Sequence, residues 1–201
     1  MITFRRGIIY YIIVPIIVLL ILFIVSTFIG NQSKNSQNAN VKDIIITSDF
    51  ELYDQDNKKV TKADLLGSPS VLFFGFTYCP DVCPTTLQSL SLLIDQLGSD
   101  SAKLKFYFVT VDPERDTPEI LKYYLSSFHP AIKGLTGETE QLDVLIKSFS
   151  IYAKKVSLEK DNYTMDHTSS IILINKNTNL VGTITYQESP EVALAKLKKL
   201  Y

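Results

Sequence analysis

Several residue types are scarce in this chain of 201 residues, and each scarcity excludes a class of protein. Two cysteines are too few for a disulfide-rich miniprotein. The 20 basic and 21 acidic residues nearly cancel, so the chain lacks the basic excess that nucleic-acid binding needs. Tryptophan is absent, which counts against a thiol peroxidase with tryptophan beside its cysteine. A disordered chain is excluded as well, because 46% of the residues are hydrophobic.

The hydrophobic residues are concentrated near the N-terminus. Residues 8–29 carry no charge, and 19 of these 22 residues are hydrophobic. A helix of that length rises roughly 33 Å, which matches a hydrocarbon core of about 30 Å. A cleaved signal peptide is the alternative, but its apolar region is usually about 7–15 residues long and ends at a small-residue cleavage site. Residues 29–32 offer no such site. The sequence therefore predicts a single transmembrane anchor and excludes a freely soluble protein.

The charges beside the anchor predict its orientation. Arg5 and Arg6 precede it, whereas residues 30–40 carry only Lys34. By the positive-inside rule, residues 1–7 stay in the cytoplasm and everything after residue 30 is exported. A mitochondrial inner membrane would share this topology, but a span that begins at residue 8 leaves no room for a transit peptide. We therefore expect a single-pass protein of the bacterial inner membrane, with its C-terminal domain in the periplasm.

Beyond the anchor, the composition predicts a tether and one domain. Residues 30–42 are mostly polar and show no periodicity, which is typical of a flexible linker. Residues 43–201 are enough for one domain. Arg5 and Arg6 are the only charges before Gly30, so the exported part carries 18 basic and 21 acidic residues, a net charge of −3.

Strands and helices alternate along the exported domain. The continuous apolar run Val71–Phe76 is typical of a strand buried on both faces, and residues 104–111 predict a second strand. An apolar stripe at helical spacing lies between them, introduced by Pro84. Further along, the patterns predict a helix over 142–149, a β-hairpin over 171–174 and 180–186, and a helix from Ser189 to about Tyr201. The order predicts an α/β domain with a central sheet flanked by helices.

A third helix is predicted from a capping pattern after the second strand. Asp116 and Glu119 have the spacing of a capping box, so we expect the helix to start there and to continue to about Phe128. His129 follows, and we interpret it as a structural residue at the helix end. The segment 112–118 is interpreted as structural, with a surface for partner recognition as the alternative.

Cys79 and Cys83 lie four residues apart, in the loop between the first strand and its helix. A structural disulfide is one alternative, but a five-residue ring gains only about 2 kcal/mol from loop entropy, against nearly 5 kcal/mol for a hundred-residue loop. Inert buried thiols are another, but the flanking prolines and Asp81 predict an exposed loop. Pro84 at the first helical position places Cys83 at a helix N-terminus, where the dipole favours the thiolate. We therefore expect the pair to bind a soft metal or to act as a redox-active dithiol.

His167 lies in a polar stretch directly before the predicted strand 171–174. In a thioredoxin-like sheet this loop would face the cysteine loop, and a thioredoxin carries a cis-proline there. This chain has no proline between Pro130 and Pro190. Two thiolates and an imidazole form a soft trigonal site that suits Cu(I) and can also accommodate Cu(II). Asp166 is expected either to orient the imidazole or to form the turn.

Three segments, in this order, resemble the Sco/SenC family of copper chaperones: FGFTYCPDVCP at 74–84, VDPERDTP at 111–118 and DHT at 166–168. The resemblance covers the anchor and essentially the whole domain. It implies a thioredoxin-like fold and a membrane-tethered protein that binds copper through Cys79, Cys83 and His167. It also implies that the protein delivers copper to the binuclear site of cytochrome c oxidase, or reduces the cysteines of that site before metallation. Tyr78 stands where many relatives have histidine, which removes one conceivable ligand.

These residues are consistent with two functions. The first is a metallochaperone, rather than a turnover enzyme, whose partner is the copper-bearing subunit of cytochrome c oxidase. The second is a metal-independent thiol–disulfide oxidoreductase that acts on an exported dithiol client through Cys79 and Cys83. Either function needs a thiol reductant to keep the cysteines reduced. His167 separates the two, because a purely redox protein has no need of it.

Overall fold

The computed structural model describes residues 16–17, 19–23, 46, 48–159 and 162–201. The chain divides into two units, Met1–Asn40 and Val41–Tyr201. Residues 16–17 and 19–23 are helical, whereas the rest of the predicted anchor at 8–29 and the predicted tether at 30–42 lie outside the described residues. Within the described part, no helix has both the length and the apolar character that a membrane span requires. The anchor and its orientation stay predictions.

A mixed sheet of seven strands forms the centre of the second unit. Side by side, the strands are β2 (Lys59–Thr61), β1 (Glu51–Asp54), β5 (Ile132–Thr136), β4 (Lys105–Thr110), β3 (Ser70–Gly75), β8 (Ile171–Ile174) and β9 (Leu180–Ile184). The three central strands β3, β4 and β5 are parallel, and the outer pairs are antiparallel. A separate two-stranded sheet pairs β6 (Ala153–Ser157) with β7 (Tyr163–His167).

Helices cover both faces of the large sheet. They are α1 (Lys62–Leu65), α2 (Val82–Leu97), α3 (Pro118–Leu125), α4 (Thr139–Ser148) and α5 (Pro190–Lys198), and a 3₁₀ helix, Gly98–Lys103, follows α2. Apolar residues of α2, α3 and α5 pack with Val71 and Phe73 of β3 on one face. Those of α4 pack with Leu72 and Phe74 on the other. The sheet is thus the middle layer between two apolar cores.

The burial of β3 explains why it was predictable from sequence. All six of its residues are buried, because successive side chains enter opposite cores. Burying one large apolar side chain contributes about 1.5–3 kcal/mol to the free energy of folding, so the burial of this strand stabilises the folded state. The predicted second strand, the hairpin and the helix around 142–149 are likewise confirmed, although β9 ends at Ile184 and the last helix at Lys198.

The helix predicted after Asp116 forms, but not with the predicted cap. Thr117 is the N-cap residue, and its hydroxyl accepts a hydrogen bond from the Ile120 N–H at 3.3 Å. Asp116 lies one residue earlier and is fully buried. The helix α3 ends at Leu125 instead of Phe128, and Ser126 is its C-cap residue. The capping-box prediction was therefore wrong, because the neighbouring threonine is the residue that caps the helix.

The structure also contains elements that the sequence patterns did not predict, chiefly β1, β2, β5, β6 and β7. The strands β6 and β7 show why. Their residues are half-buried or exposed, and the consecutive Lys154 and Lys155 leave β6 without an apolar alternation. In β7 only Tyr163 and Met165 alternate with polar residues, which is too short a pattern to predict a strand. His167 consequently ends a strand, whereas the sequence predicted a loop.

Candidate metal centre

The cysteine loop comprises residues 76–81 and joins the end of β3 to the start of α2. Asp81 is the N-cap residue, so α2 begins at Val82 and not at Pro84. The Cys79 N–H donates to the Phe76 carbonyl at 3.2 Å, and the Cys83 N–H donates to Cys79 Sγ at 3.5 Å. The Cys79 sulfur thus accepts from one of the N–H groups that the first turn of a helix leaves unpaired.

Cys83 is fully buried, whereas Cys79 is partly exposed. The first turn of α2 places the Cys83 side chain in the core, directly beside β3. A Cβ at Gly75 would lie only 2.8 Å from Cys83 Sγ and 2.7 Å from Phe108 Cε2, so the absence of a side chain at Gly75 makes this approach possible. The prediction of an exposed loop was wrong for Cys83, because the prolines set the course of the loop but not the packing of the helix that follows.

The two thiols have opposite acidities. The pKa of Cys79 falls to about 3, chiefly because the Cys83 thiol donates to it, with further hydrogen bonds from backbone N–H groups. The pKa of Cys83 is raised, because its thiol donates to Cys79 and because it is buried. The sequence predicted that the helix dipole would favour a thiolate at Cys83. In the structure the thiolate belongs to Cys79.

His167 reaches the thiols from the end of β7. Its Nε2 lies 3.5 Å from Cys83 Sγ, and its Nδ1 lies 3.0 Å from the Thr168 carbonyl oxygen. A carbonyl oxygen can only accept, so Nδ1 carries the proton and the Nε2 lone pair faces the sulfurs. The Phe76 ring meets the imidazole edge-on, with 5.6 Å between the ring centroids. The tautomer and the ring orientation therefore both suit a metal ligand.

The structure brings the three predicted site residues together. The ligand atoms of Cys79, Cys83 and His167 all lie within 4.8 Å of one another. In the part of the chain that the structure describes, this is the one group of histidine, cysteine and acidic residues placed to hold a metal ion. Two sulfurs and one imidazole nitrogen form a soft donor set of low coordination number, which fits copper. Ligation itself stays a prediction.

Other candidates from the sequence lie outside this group. Asp166 is exposed and forms part of β7, so it neither orients the imidazole, which Thr168 does, nor forms a turn. Tyr78, which directly precedes Cys79, is exposed. His129 lies in the turn after α3, where its Nδ1 accepts the Ala131 N–H at 3.1 Å. This contact suits a structural residue, although α3 ends four residues before it and not beside it.

Asp116 is a site residue whose role the sequence did not reveal. Its carboxylate accepts hydrogen bonds from the hydroxyls of Thr77 and Thr110, each at 2.6 Å, and from the Thr77 N–H at 3.1 Å. These bonds fasten the start of the cysteine loop to the end of β4. Burial raises the pKa of Asp116, although the three hydrogen bonds oppose that rise. Within the segment 112–118, Asp116 is thus a structural residue that supports the cysteine loop.

The fold and the donor set together define a class of protein. A mixed sheet between helices, with two cysteines at the start of a helix and a histidine beside them, describes a thioredoxin-like domain with a thiol–imidazole group that could hold a metal ion. The chain belongs to the SCO1/SenC family, whose model matches residues 38–201. The thioredoxin-like fold and the family expected from the motifs are confirmed.

Similar proteins support this assignment. The SCO2-like protein of Rickettsia felis is 37% identical over 166 residues, which cover 82% of this chain and 80% of that protein. Bradyrhizobium japonicum ScoI, solved with copper bound, is 44% identical with a TM-score of 0.72 and matches 77% of this chain and 98% of that chain. BsSco, described as having a disulfide switch and as a member of the Sco family of cytochrome c oxidase assembly proteins, shares the fold. It is 22% identical with a TM-score of 0.62, and the match covers 78% of this chain and 93% of BsSco.

Proposed function

We propose that this protein is a membrane-tethered copper-binding protein that delivers copper to the binuclear site of cytochrome c oxidase or prepares the cysteines of that site. The observation that carries the proposal is the Cys79–Cys83–His167 group, whose ligand atoms lie within 4.8 Å of one another. Copper in the related ScoI and the role of the Sco family in oxidase assembly, described for BsSco, support it.

The geometry assigns a task to each ligand. Cys79 is already a thiolate at neutral pH and is partly exposed, so it offers the first sulfur to an incoming Cu(I). Cys83 must lose its proton when the metal binds, which makes binding depend on pH. The Nε2 lone pair of His167 completes the set. Bound copper would be the cargo of this site, held by two soft sulfurs and one nitrogen.

The proposed location rests on the anchor. Residues 8–29 are long enough to span a bilayer, and Arg5 and Arg6 favour a cytoplasmic N-terminus. The ten mostly polar residues 31–40 of the tether would place the domain some 15–20 Å from the membrane that contains the oxidase. A reporter enzyme that is active only outside the cytoplasm, fused after Tyr201, tests this topology. Activity of this reporter supports the topology. The topology is wrong if this reporter is inactive and a second reporter, active only in the cytoplasm and fused at the same position, is active.

The opposite acidities of the cysteines favour a second candidate, a thiol–disulfide reductase. The Cys79 thiolate would attack a client disulfide, form a mixed disulfide and release one client thiolate. Cys83, once deprotonated, would attack the Cys79 sulfur, release the second client thiol and close the Cys79–Cys83 disulfide. Two electrons pass to the client, and an external dithiol reductant must restore the pair.

Titration of the reduced full-length protein with Cu(I), in competition with a chromogenic Cu(I) chelator, tests the first candidate. We expect a single tightly bound Cu(I) per chain, complete loss in Cys79→Ser, and loss of Cu(II) binding in His167→Ala because a nitrogen ligand is missing. If His167→Ala binds Cu(I) and Cu(II) as tightly as the wild type does, the three-ligand site is wrong. If the wild type binds no copper and His167→Ala reduces a disulfide client at full rate, the reductase is favoured.

A further inference from the structure

Arg115 lies where three segments meet: the cysteine loop, the loop after β4, and β7. Its side chain is only 18% exposed. The Nε atom donates to Asp112 Oδ2 at 2.5 Å, and Nη1 donates to the Tyr163 backbone carbonyl at 3.1 Å. Asp112 belongs to the loop after β4, and Tyr163 is the first residue of the strand that ends at His167. One guanidinium group therefore joins these two segments.

The same guanidinium also contacts the cysteine loop. Its central carbon lies 4.6 Å from the centroid of the Tyr78 ring and 5.9 Å from that of Phe76. Tyr78 precedes Cys79 in the chain, and the Phe76 ring contacts the His167 imidazole edge-on. A cation above these ring faces is attracted by their quadrupoles. Arg115 thus contacts the neighbours of both the sulfur and the nitrogen ligands.

Tyr163 strengthens the connection on the side of β7. Its ring centroid lies 3.7 Å from the Arg115 guanidinium carbon, and its hydroxyl donates to Asp112 Oδ1 at 2.8 Å. Asp112 is buried and accepts from both Arg115 and Tyr163, so it links the other two side chains. The rest of β7 pairs as a strand with β6, in a small sheet whose residues are half-buried or exposed, and its Met165 packs against the apolar core.

We propose that Arg115 is a positioning residue, which fixes β7 against the cysteine loop and thereby holds His167 beside the two thiols. Its loss separates the imidazole from the sulfurs without removing any of the three. The copper part of this inference rests on the proposed function. The fixing of β7 is a property of the metal-free chain and is tested without copper.

The chemistry of the guanidinium explains why lysine cannot replace it. Arginine presents several N–H donors in a rigid planar fork, which here donates to Asp112 and to the Tyr163 carbonyl at the same time. Lysine keeps the charge, but its ammonium is a compact point charge on a flexible stem and cannot reproduce the fixed fork. Arg115→Lys should therefore resemble Arg115→Gln more than the wild type. Tyr163→Phe, which loses only the hydroxyl bond to Asp112, should have a smaller effect than either.

Amide hydrogen exchange of the metal-free full-length protein tests the fixing of β7. We expect Arg115→Gln to accelerate exchange at the amides of residues 163–167 by at least about tenfold, because hydrogen bonds to charged groups are lost, with β3 and β4 unchanged. Lys122→Gln is the matched control. It breaks the exposed Lys122–Asp56 ion pair, 2.8 Å long, and should leave β7 unchanged. Unchanged exchange of β7 in Arg115→Gln overturns the proposal, as does equal acceleration throughout the domain.

Copper binding supplies the second readout. Two thiolates hold Cu(I) without a nitrogen ligand, whereas Cu(II) needs the imidazole. Arg115→Gln should therefore retain Cu(I) within a few fold and lose the thiolate-to-Cu(II) absorption band, as His167→Ala does. A wild-type Cu(II) spectrum in Arg115→Gln, or loss of Cu(I) in parallel with Cu(II), contradicts the proposal. If the wild type itself binds no copper, the proposed function fails, and hydrogen exchange alone decides the role of Arg115.

Discussion

The two sheets of the domain hold the three residues of the proposed copper site in different ways. The cysteines follow β3, which is buried along its whole length, and Cys83 itself has no exposed surface. His167 ends β7, which belongs to a two-stranded sheet of half-buried and exposed residues. Stability is not uniform across a protein, and segments with few buried contacts open first. The sulfur half of the donor set is thus held deep in the core, whereas the nitrogen half is held by the partly buried Met165, which packs against the core, and by a few polar contacts.

The largest expected effect is a difference in reactivity between the two cysteines, which form the sulfur half of the site. In the reduced, metal-free protein, iodoacetamide should modify Cys79 at a nearly constant rate between about pH 5 and pH 8, because a thiol with a pKa of about 3 is fully ionised there. An ordinary thiol would slow roughly tenfold for each unit of pH below its pKa. Cys83 should stay unmodified, because it is buried and its pKa is raised. Peptide mass spectrometry measures both rates.

Cys83→Ala is the control for this difference. The hydrogen bond from Cys83 is the chief cause of the low pKa of Cys79, so its removal should raise that pKa and slow the reaction at acidic pH. A rate that remains independent of pH in Cys83→Ala would show that Cys83 does not set the acidity of its partner.

The next effect tests how tightly the core holds the sulfurs. Gly75→Ala places a Cβ within 2.8 Å of Cys83 Sγ and 2.7 Å of Phe108 Cε2, both deep in the core. We expect a loss of about 1–3 kcal/mol in the free energy of unfolding, since overpacking forces neighbours to shift, and weaker Cu(I) binding because Cys83 is displaced. Urea unfolding and the chelator competition measure the two.

Gly182→Ala in β9 is the matched substitution, because the nearest atom to the new Cβ would be Leu173 Cδ1 at 3.9 Å. It should be neutral or slightly stabilising, as alanine is generally less costly than glycine within a strand. Equal stability of the two variants would mean that the core yields easily at Cys83, and the contrast between the two sheets would lose its basis.

The sequence predicted the core half of the site better than the exposed half, for a physical reason. The apolar run of β3 can be satisfied only by burial on both faces, so it identifies the central strand and the loop that follows. The pattern of β7 (Tyr-Thr-Met-Asp-His) alternates apolar and polar residues over too few positions to predict a strand, and the strand forms where β6 pairs with it. The neighbourhood of His167 was nonetheless expected, from the resemblance and from the position of this segment before β8.

Contacts between distant residues account for what was missed. Asp116 and Thr117 are both good N-cap residues, and only the packing of Thr77 and Thr110 against the carboxylate decides that Asp116 turns inward. Arg115 meets Tyr163, which is 48 positions away, and no local pattern contains that partner. Likewise, the sequence located Cys83 at the start of a helix but could not tell which face of the helix the core would cover.

The smallest expected effect lies at the open end of the two-stranded sheet. Thr168 Oγ1 accepts the Tyr152 N–H at 2.9 Å, and the Thr168 carbonyl accepts the Nδ1–H of His167. Thr168→Val removes the hydroxyl but keeps the shape and the carbonyl. We expect a loss below about 1.5 kcal/mol in the free energy of unfolding, the net value of one hydrogen bond. Exchange of the Tyr152 amide should become faster, and Cu(I) affinity should not change.

Ser101→Ala is the control for the loss of a single exposed hydroxyl bond, here the one to the Gly98 carbonyl, and it should leave the Tyr152 amide unaffected. The decisive measurement is Cu(I) affinity. If Thr168→Val weakened Cu(I) binding as much as Gly75→Ala, a minor change in the exposed sheet would disturb the sulfurs, and the two halves would be rigidly coupled. If only Cu(II) binding weakens, the histidine half moves independently, because Cu(I) can remain on two thiolates that the core holds in place.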